Sequence, residues 1–385
     1  MSNIPNLQIP PLLKRQSRGE YDVSIIIGEN GSGKSSLLFD LAKHFQEKQY
    51  DIVAIANTIY DKFILNKKKF KILRASEGRN IAKKVIISAV QLLVENDYRR
   101  LGNVARTLEF IGFEPRIGFR ITSINPAARD IIKDLSLPKQ VIDGILSYFD
   151  QYVHEFKRQK DIISINVSGR TTGDFHRISL FGIFTYEKIL RKAGLFKNIE
   201  LFLYRSQKAI PLHSASSGEL TLVATLIFLT VAISENTVAL IDEPENSLHP
   251  TWQKDYVKLL FDLFYLYQPK IIIATHSALI LNGAEVNFPN LSVFKGVAGT
   301  FSIHKNQSTN VEEIYQDIFD VTTPKNRFVS ELIVDKINAL TNREITLPAF
   351  DLFIEDLMKG SYDDQQLKVL EGVKEMASKI ANDIN

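Results

Sequence analysis

The chain has 385 residues, 45% hydrophobic and 24% charged, and contains no cysteine. That composition belongs to a soluble globular protein; it excludes disulfide scaffolds and thiolate metal sites, and the length calls for two or three units. The net charge is +3, but it is uneven: residues 61–120 carry about +8 and residues 311–385 about −7. The basic stretch, with Lys67-Lys68-Lys69, Lys83-Lys84 and Arg99-Arg100, suits a nucleic-acid backbone. It equally suits solvated faces, or the acidic segment within a subunit or across a dimer.

Residues 1–20 read as an irregular lead-in, with Pro5, Pro10, Pro11 and scattered charge in place of a signal pattern. The longest apolar run, Leu220 to Ile233, is too short to span a bilayer. The expectation is a cytoplasmic chain without a membrane partner. Tyr21 to Ile27 reads as a buried strand and Lys34 to Gln46 as a helix. Between them stands Gly28-Glu29-Asn30-Gly31-Ser32-Gly33-Lys34-Ser35, and strand, glycine-rich turn and helix is the context that makes this spacing a phosphate loop. The glycines let backbone N–H groups close on an anion. Lys34 reaches the β- and γ-phosphates and the Ser35 hydroxyl ligates Mg²⁺. Asp51 to Ala56 and Phe70 to Arg74 are further strands.

From Arg79 to Leu195 the pattern changes. Helical spacing over residues 81–93, 104–111 and 141–156 alternates with extended stretches over 116–122 and 161–167, without a sustained heptad. This reads as a compact, mainly helical insert. Strands over 200–205 and 209–212 then lead into Ser214-Ala215-Ser216-Ser217-Gly218-Glu219 and an apolar helix. That helix start suits an anion or simple capping. Val238 to Ile241 is a buried strand ending in Asp242-Glu243. Behind a phosphate loop, Asp242 can hold Mg²⁺ through water and Glu243 can orient or deprotonate the attacking water. Pro250 opens a helix, and Ile271 to Ala274 is a strand ending in Thr275-His276-Ser277. A lone histidine is usually structural, but His276 falls at the strand end where ligands of open α/β sheets bind, in reach of the γ-phosphate. Strands at 291–294 and 300–304 and helices at 311–319, 328–340, 349–358 and 365–380 complete the chain.

Taken together, these motifs resemble the head of an ABC-class ATPase over residues 21–60 and 199–305. The resemblance implies an α/β P-loop NTPase head at 1–78 and 196–310, an α-rich insert at 79–195 and a helical C-terminal region at 311–385. It implies ATP and Mg²⁺ as cofactors. Gly28, Asn30, Gly31, Ser32, Gly33, Lys34, Ser35 and Ser36 would hold the nucleotide, with Ser35 and Asp242 on the metal and Lys34, Glu243 and His276 in catalysis. By similarity Ser216, Ser217, Gly218 and Glu219 match the signature, which caps the γ-phosphate on a facing head, and 245–250 match the loop lying across that interface. The wording Asp-Glu-Pro-Glu-Asn-Ser-Leu-His-Pro is similar to RecF, SMC and OLD-type heads, and within them to the stand-alone ATPases of bacterial anti-phage systems, the PtuA subunits of Septu and the AriA subunits of PARIS. This implies homodimers or higher oligomers built on ATP sandwiches, and a separate effector nuclease. A DNA-maintenance ATPase of RecF or SMC type, with nucleic acid at the basic insert, is the alternative. A transporter subunit is the third reading; the motif wording, the large insert and the lack of a clear glutamine-loop residue, for which Asn57 is a stand-in, argue against it. The lead-in is short for the usual adenine-stacking sheet, which leaves adenine and guanine both open. The pair Asp363-Asp364 reads as a solvated loop or cap rather than a nuclease site.

Overall fold

The computed structural model describes residues 9–15, 22–58, 62–63, 69–75, 80–94, 97–155, 162–168, 182–288, 291–304, 311, 314, 318, 327–359 and 364–384. Seven strands form the central sheet, in spatial order Thr300–Ile303 (β11), Ser292–Val297 (β10), Asp22–Gly28 (β1), Lys270–Thr275 (β9), Thr237–Asp242 (β8), Asp51–Ala56 (β2) and Phe70–Arg74 (β3). Every pair is parallel except β10 with β11. The inner strands are near-continuous Val/Ile runs because both faces are covered. Ile26, Ile52, Ala54, Leu240 and Ile272 meet the helix Lys34–Glu47 (α1) on one face, while Ile25, Ile27, Val53, Ile241 and Ile273 join the larger cluster on the other.

On that second face lies Ser217–Ala232, a helix apolar on almost every side, as a helix buried all round must be. It is labelled α7. Asn80–Val94 (α2) and Tyr98–Ile111 (α3) pack directly on it. A second, antiparallel sheet runs Ile163–Asn166 (β5), Arg116–Thr122 (β4), Asn198–Arg205 (β6), Lys208–Pro211 (β7). It joins strands from both sides of residue 195 and shares its hydrophobic cluster with α2, α3 and α7. Ala128–Lys133 (α4), Lys139–Glu155 (α5) and Glu187–Lys192 (α6) flank it in sequence. Pro250–Phe264 (α8) and Ala278–Asn287 (α9) pack together behind the central sheet.

The C-terminal helices Arg327–Thr341 (α10), Leu347–Lys359 (α11) and Asp364–Ile384 (α12) enclose their own small core of Leu340, Phe350, Ile354, Leu370 and Ala377. Of the helix expected over 311–319, only residues 311, 314 and 318 are described; Lys67, Lys68 and Asp363 lie outside the described residues. Among the described residues no helix is long and apolar enough to cross a membrane.

The register positions the site. Ile27 is level with Thr275, Asp242 with Ala274, and Ala56 with Asp242. Four adjacent parallel strands thus end on one line, and the segments following β1, β9, β8 and β2 emerge at one edge.

Candidate functional site

The phosphate-loop residues occupy that edge. Gly28 ends β1 beside Gly296 of β10. Gly31 and Gly33 adopt φ of 82° and 96°, left-handed values that favour glycine, and Gly33 is the N-cap of α1. The turn therefore delivers the unpaired N–H groups of the first helical turn to one concavity. Glu29, Asn30 and Gly31 are exposed, whereas Ser32 is buried and its carbonyl accepts from the Gly299 N–H at 3.1 Å. Lys34 is buried, and its ammonium folds back to donate to the carbonyls of Gly28 (2.8 Å) and Glu29 (2.9 Å). Ser36 accepts a hydrogen bond from Lys62 at 2.6 Å.

Three acids face this lysine. Burial lowers the Lys34 pKa, and the charges of Glu243, Asp242 and Glu245 act against that shift. Asp242 is 1% exposed and neither carboxylate oxygen is closed off by a hydrogen bond. Burial pushes its carboxyl up to about 6; the neighbouring Ser35 hydroxyl and Lys34 act the other way, and Glu243 and Glu245 add to the rise. An oxygen pair left bare in the interior is a costly arrangement, and it fits a hard cation. Asp242 and Ser35 could supply oxygen ligands of the kind Mg²⁺ prefers, with phosphate and water in the remaining places.

Glu243 follows at φ 49°, a strained backbone for a side chain of this kind. Its N–H donates to Ala274 O at 2.8 Å and its carboxylate accepts from the Asn246 amide at 3.1 Å. Asn57, after β2, donates its N–H to Asp242 O and its carbonyl accepts from Asn246, at 3.3 and 3.4 Å. His276 sits one residue past β9, with its backbone N–H on Glu245 Oε1 at 2.7 Å and its Nδ1 3.1 Å from the same oxygen. Lys34, Ser35, Asp242, Glu243 and His276 therefore share one edge.

Ser216 to Glu219 form a separate group. Ser216 caps α7, accepting from the Glu219 N–H, while the Glu219 carboxylate accepts from the Ser216 N–H at 2.8 Å. This closed capping box is tied further by Arg205 of β6, which donates to Glu219 at 2.7 Å and to Gly112 O at 3.2 Å and lies 4.3 Å over the Phe113 ring. Burial pushes the Glu219 carboxyl up, but the Arg205 hydrogen bond and the Ser216 bonds overcome it and hold it below the usual range. A Cβ on Gly218 would run into the carbonyl oxygen of Ser247. Only glycine lets the start of α7 sit this close to the loop after β8. Ser216 and Ser217 remain exposed.

Sequence reasoning left out the inward turn of Glu245 and the Arg205 clamp. Nothing in spacing marks either: Glu245 stands in a run of turn residues, and Arg205 is separated from Glu219 by a strand and a loop. The basic stretch also looks different in three dimensions. Lys83 pairs with Glu187 (2.7 Å), Arg100 with Asp97 (3.5 Å), Arg116 with Glu114 (3.7 Å) and Arg120 with Glu200 (3.0 Å).

The protein-family model described as "AAA domain, putative AbiEii toxin, Type IV TA system" matches residues 79–282. The match starts after the phosphate loop and takes in the α7 cap, the Asp242-Glu243 strand end and His276. No curated protein matches the chain. Among solved structures, CbiO1 from Clostridium perfringens, part of the ABC transporter complex CbiONQ, is 16% identical over 81% of this chain and 85% of its own, with a TM-score of 0.28. The Smc head domain with an extended coiled coil bound to the C-terminal domain of ScpA, from Pyrococcus furiosus, is 11% identical over 74% of this chain and 69% of its own, with a TM-score of 0.23. At these scores neither likeness bears on what the chain does.

Proposed function

The chain belongs to this AAA domain family, and on that premise we propose that it is an ATP-binding and ATP-hydrolysing subunit that works as an ATP-sandwich dimer or larger assembly in an anti-phage defence complex, controlling a separate effector nuclease. One observation carries the ATPase reading: a phosphate loop, a buried acid with two bare oxygens, a strained acid beside it and a histidine at the next strand end converge on one edge of a parallel sheet. Bound Mg·ATP supplies the scissile phosphoanhydride and the cation that balances its charge. The chain's own groups do the rest. The α1 N-terminus and Lys34 hold phosphate oxygens, Ser35 and Asp242 hold the metal, Glu243 orients water and accepts its proton, and His276 donates to the terminal phosphate.

The dimer reading is supported by Ser216 and Ser217, exposed on a rigidly capped helix start whose contacts run to Ser247, Arg205 and Gly112. Such a surface is complete without its own phosphate loop and is available to another head's. The family description, a toxin of a toxin–antitoxin system, fits a defence role better than repair or transport. The motif wording, Asp242-Glu243-Pro244-Glu245-Asn246-Ser247-Leu248-His249-Pro250, supports the separate effector.

The test is Mg²⁺-dependent ATP hydrolysis together with mass in solution. Glu243→Gln should bind ATP, hydrolyse it at least about 100-fold more slowly and double in mass with ATP. Lys34→Ala should lose ATP binding. Wild-type hydrolysis by Glu243→Gln would overturn the assignment of the water-activating group. Purification from the native operon should bring a nuclease-type protein with it; chromosomal duplex DNA and repair proteins in its place would overturn the defence reading.

A further inference from the structure

We propose that Glu245 is the positioning residue for His276: its buried carboxylate fixes the imidazole through Nδ1 and so reserves Nε2 for the terminal phosphate. The phosphate half of this rests on the ATPase reading above; the ring's tautomer does not.

The geometry is specific. One oxygen, Glu245 Oε1, accepts from the His276 backbone N–H at 2.7 Å and lies 3.1 Å from the ring Nδ1, a buried nitrogen that has no aligned hydrogen bond of its own. An ionised carboxylate only accepts, so the ring nitrogen facing it carries the hydrogen. Nδ1 and Nε2 point away from one another, and the backbone bond holds the carboxylate beside Nδ1, so that a small turn of the ring aligns Nδ1–H with it. The Glu245 side chain is 5% exposed while that of His276 is 38% exposed: the anchor is inside and the working face is outside. When Nε2 meets a phosphate oxygen, the imidazolium is the form that bonds both ways, Nδ1–H to Glu245 and Nε2–H to phosphate.

The setting of Glu245 argues for this use. The backbone holds it, with Leu248 N–H on Glu245 O at 3.0 Å. Its second oxygen is buried without a hydrogen bond. Behind it stands Tyr256, also fully buried with an unbonded hydroxyl, whose ionisation is opposed by burial and then by the Glu245 charge. Lys34 feels Glu245 less than it feels Glu243 and Asp242. A buried carboxylate with so few compensating partners is expensive to keep, and the hydrogen bond its side chain does accept comes from the His276 backbone N–H, with the ring alongside. The loop carrying Glu245 also carries Ser247, against which Gly218 packs, so the ring's anchor and the start of α7 share one short segment.

The experiment is long-range nitrogen–proton NMR of the imidazole rings in the nucleotide-free full chain, with His276 assigned among the seven histidines by loss of its signals in His276→Gln, paired with steady-state hydrolysis. Wild type should show the Nδ1–H tautomer at alkaline pH. Glu245→Ala should revert to the Nε2–H tautomer that a free side chain prefers, with kcat down about 10-fold and KM for ATP within about twofold. Glu245→Gln, whose amide oxygen still accepts, should keep the tautomer and recover most of kcat. An unchanged tautomer in Glu245→Ala overturns the proposal, whatever the rate does. If the wild type hydrolyses no ATP but the tautomer shifts as expected, ring positioning stands and the ATPase reading falls.

Discussion

The sheet edge and the start of α7 handle polar groups in opposite ways. At the edge, Asp242 has two buried oxygens without partners, Glu245 has one, and Glu243 is held at a left-handed φ. At the start of α7 the capping box is closed, Glu219 has Arg205 as well, and Gly218 leaves no space against Ser247. Unsatisfied buried groups cost about 1–3 kcal/mol each, and satisfied ones rigidify what they join. The edge is therefore the half that gains by taking a ligand. The helix start is the half already shaped to be presented to something.

The contrast can be broken from the edge side with the largest effect. Burial raises the Asp242 pKa from 3.8 to about 6, so folding favours the protonated acid. Stability is then fully present below the unfolded value and declines as pH rises through about 6, by up to roughly 3 kcal/mol. Asp242→Asn removes that burden. Without nucleotide or metal it should melt higher than wild type at pH 7.5 and equally at pH 4, while Mg²⁺-dependent hydrolysis is lost; thermal melting at the two pH values checks the sign. Breaking the other half takes Gly218→Ala, whose methyl meets the Ser247 carbonyl. Overpacking of this kind costs about 1–3 kcal/mol, and hydrolysis per chain should fall because the loop after β8 must move; melting and single-turnover rates measure both. The smallest effect belongs to Arg205→Ala. Its side chain is 42% exposed, so the melting temperature should shift by no more than about 1 kcal/mol equivalent. ATP binding to the isolated chain should be unchanged, and ATP-driven self-association should weaken several-fold, readable by sedimentation.

The same contrast explains what could be read from sequence. The strands of the central sheet are visible because parallel strands buried on both faces need unbroken apolar runs, and 238–241 and 271–274 are such runs. The glycine-rich turn at 28–35, the acids at 242 and 243 and His276 are visible because the proposed phosphate chemistry would demand those residue types at those chain positions. The second sheet is not visible as one object: β4 pairs with β6 across a long stretch of chain, and nothing local announces a partner so distant. The short helices α4 and α6 hold too few turns for a period to register. Charge misleads for the same reason, since Lys83 and Arg120 find Glu187 and Glu200 only after folding. Glu245 is an acid in a turn, which in sequence suits solvent; only the register of β8 with β9 explains how it comes to face His276.

The contact of Gly218 with Ser247 gives the proposed pair of heads a shared memory of occupancy. In that proposed pair the loop after β8 would answer to the nucleotide on its own head, and the start of α7 to the nucleotide on the other. Because no Cβ fits between them, a shift of one toward the other would displace both. Filling one pocket reshapes the lid offered to the second, and by reciprocity the second reports back with equal strength. A pair joined this way counts its nucleotides together, favouring none or two over one.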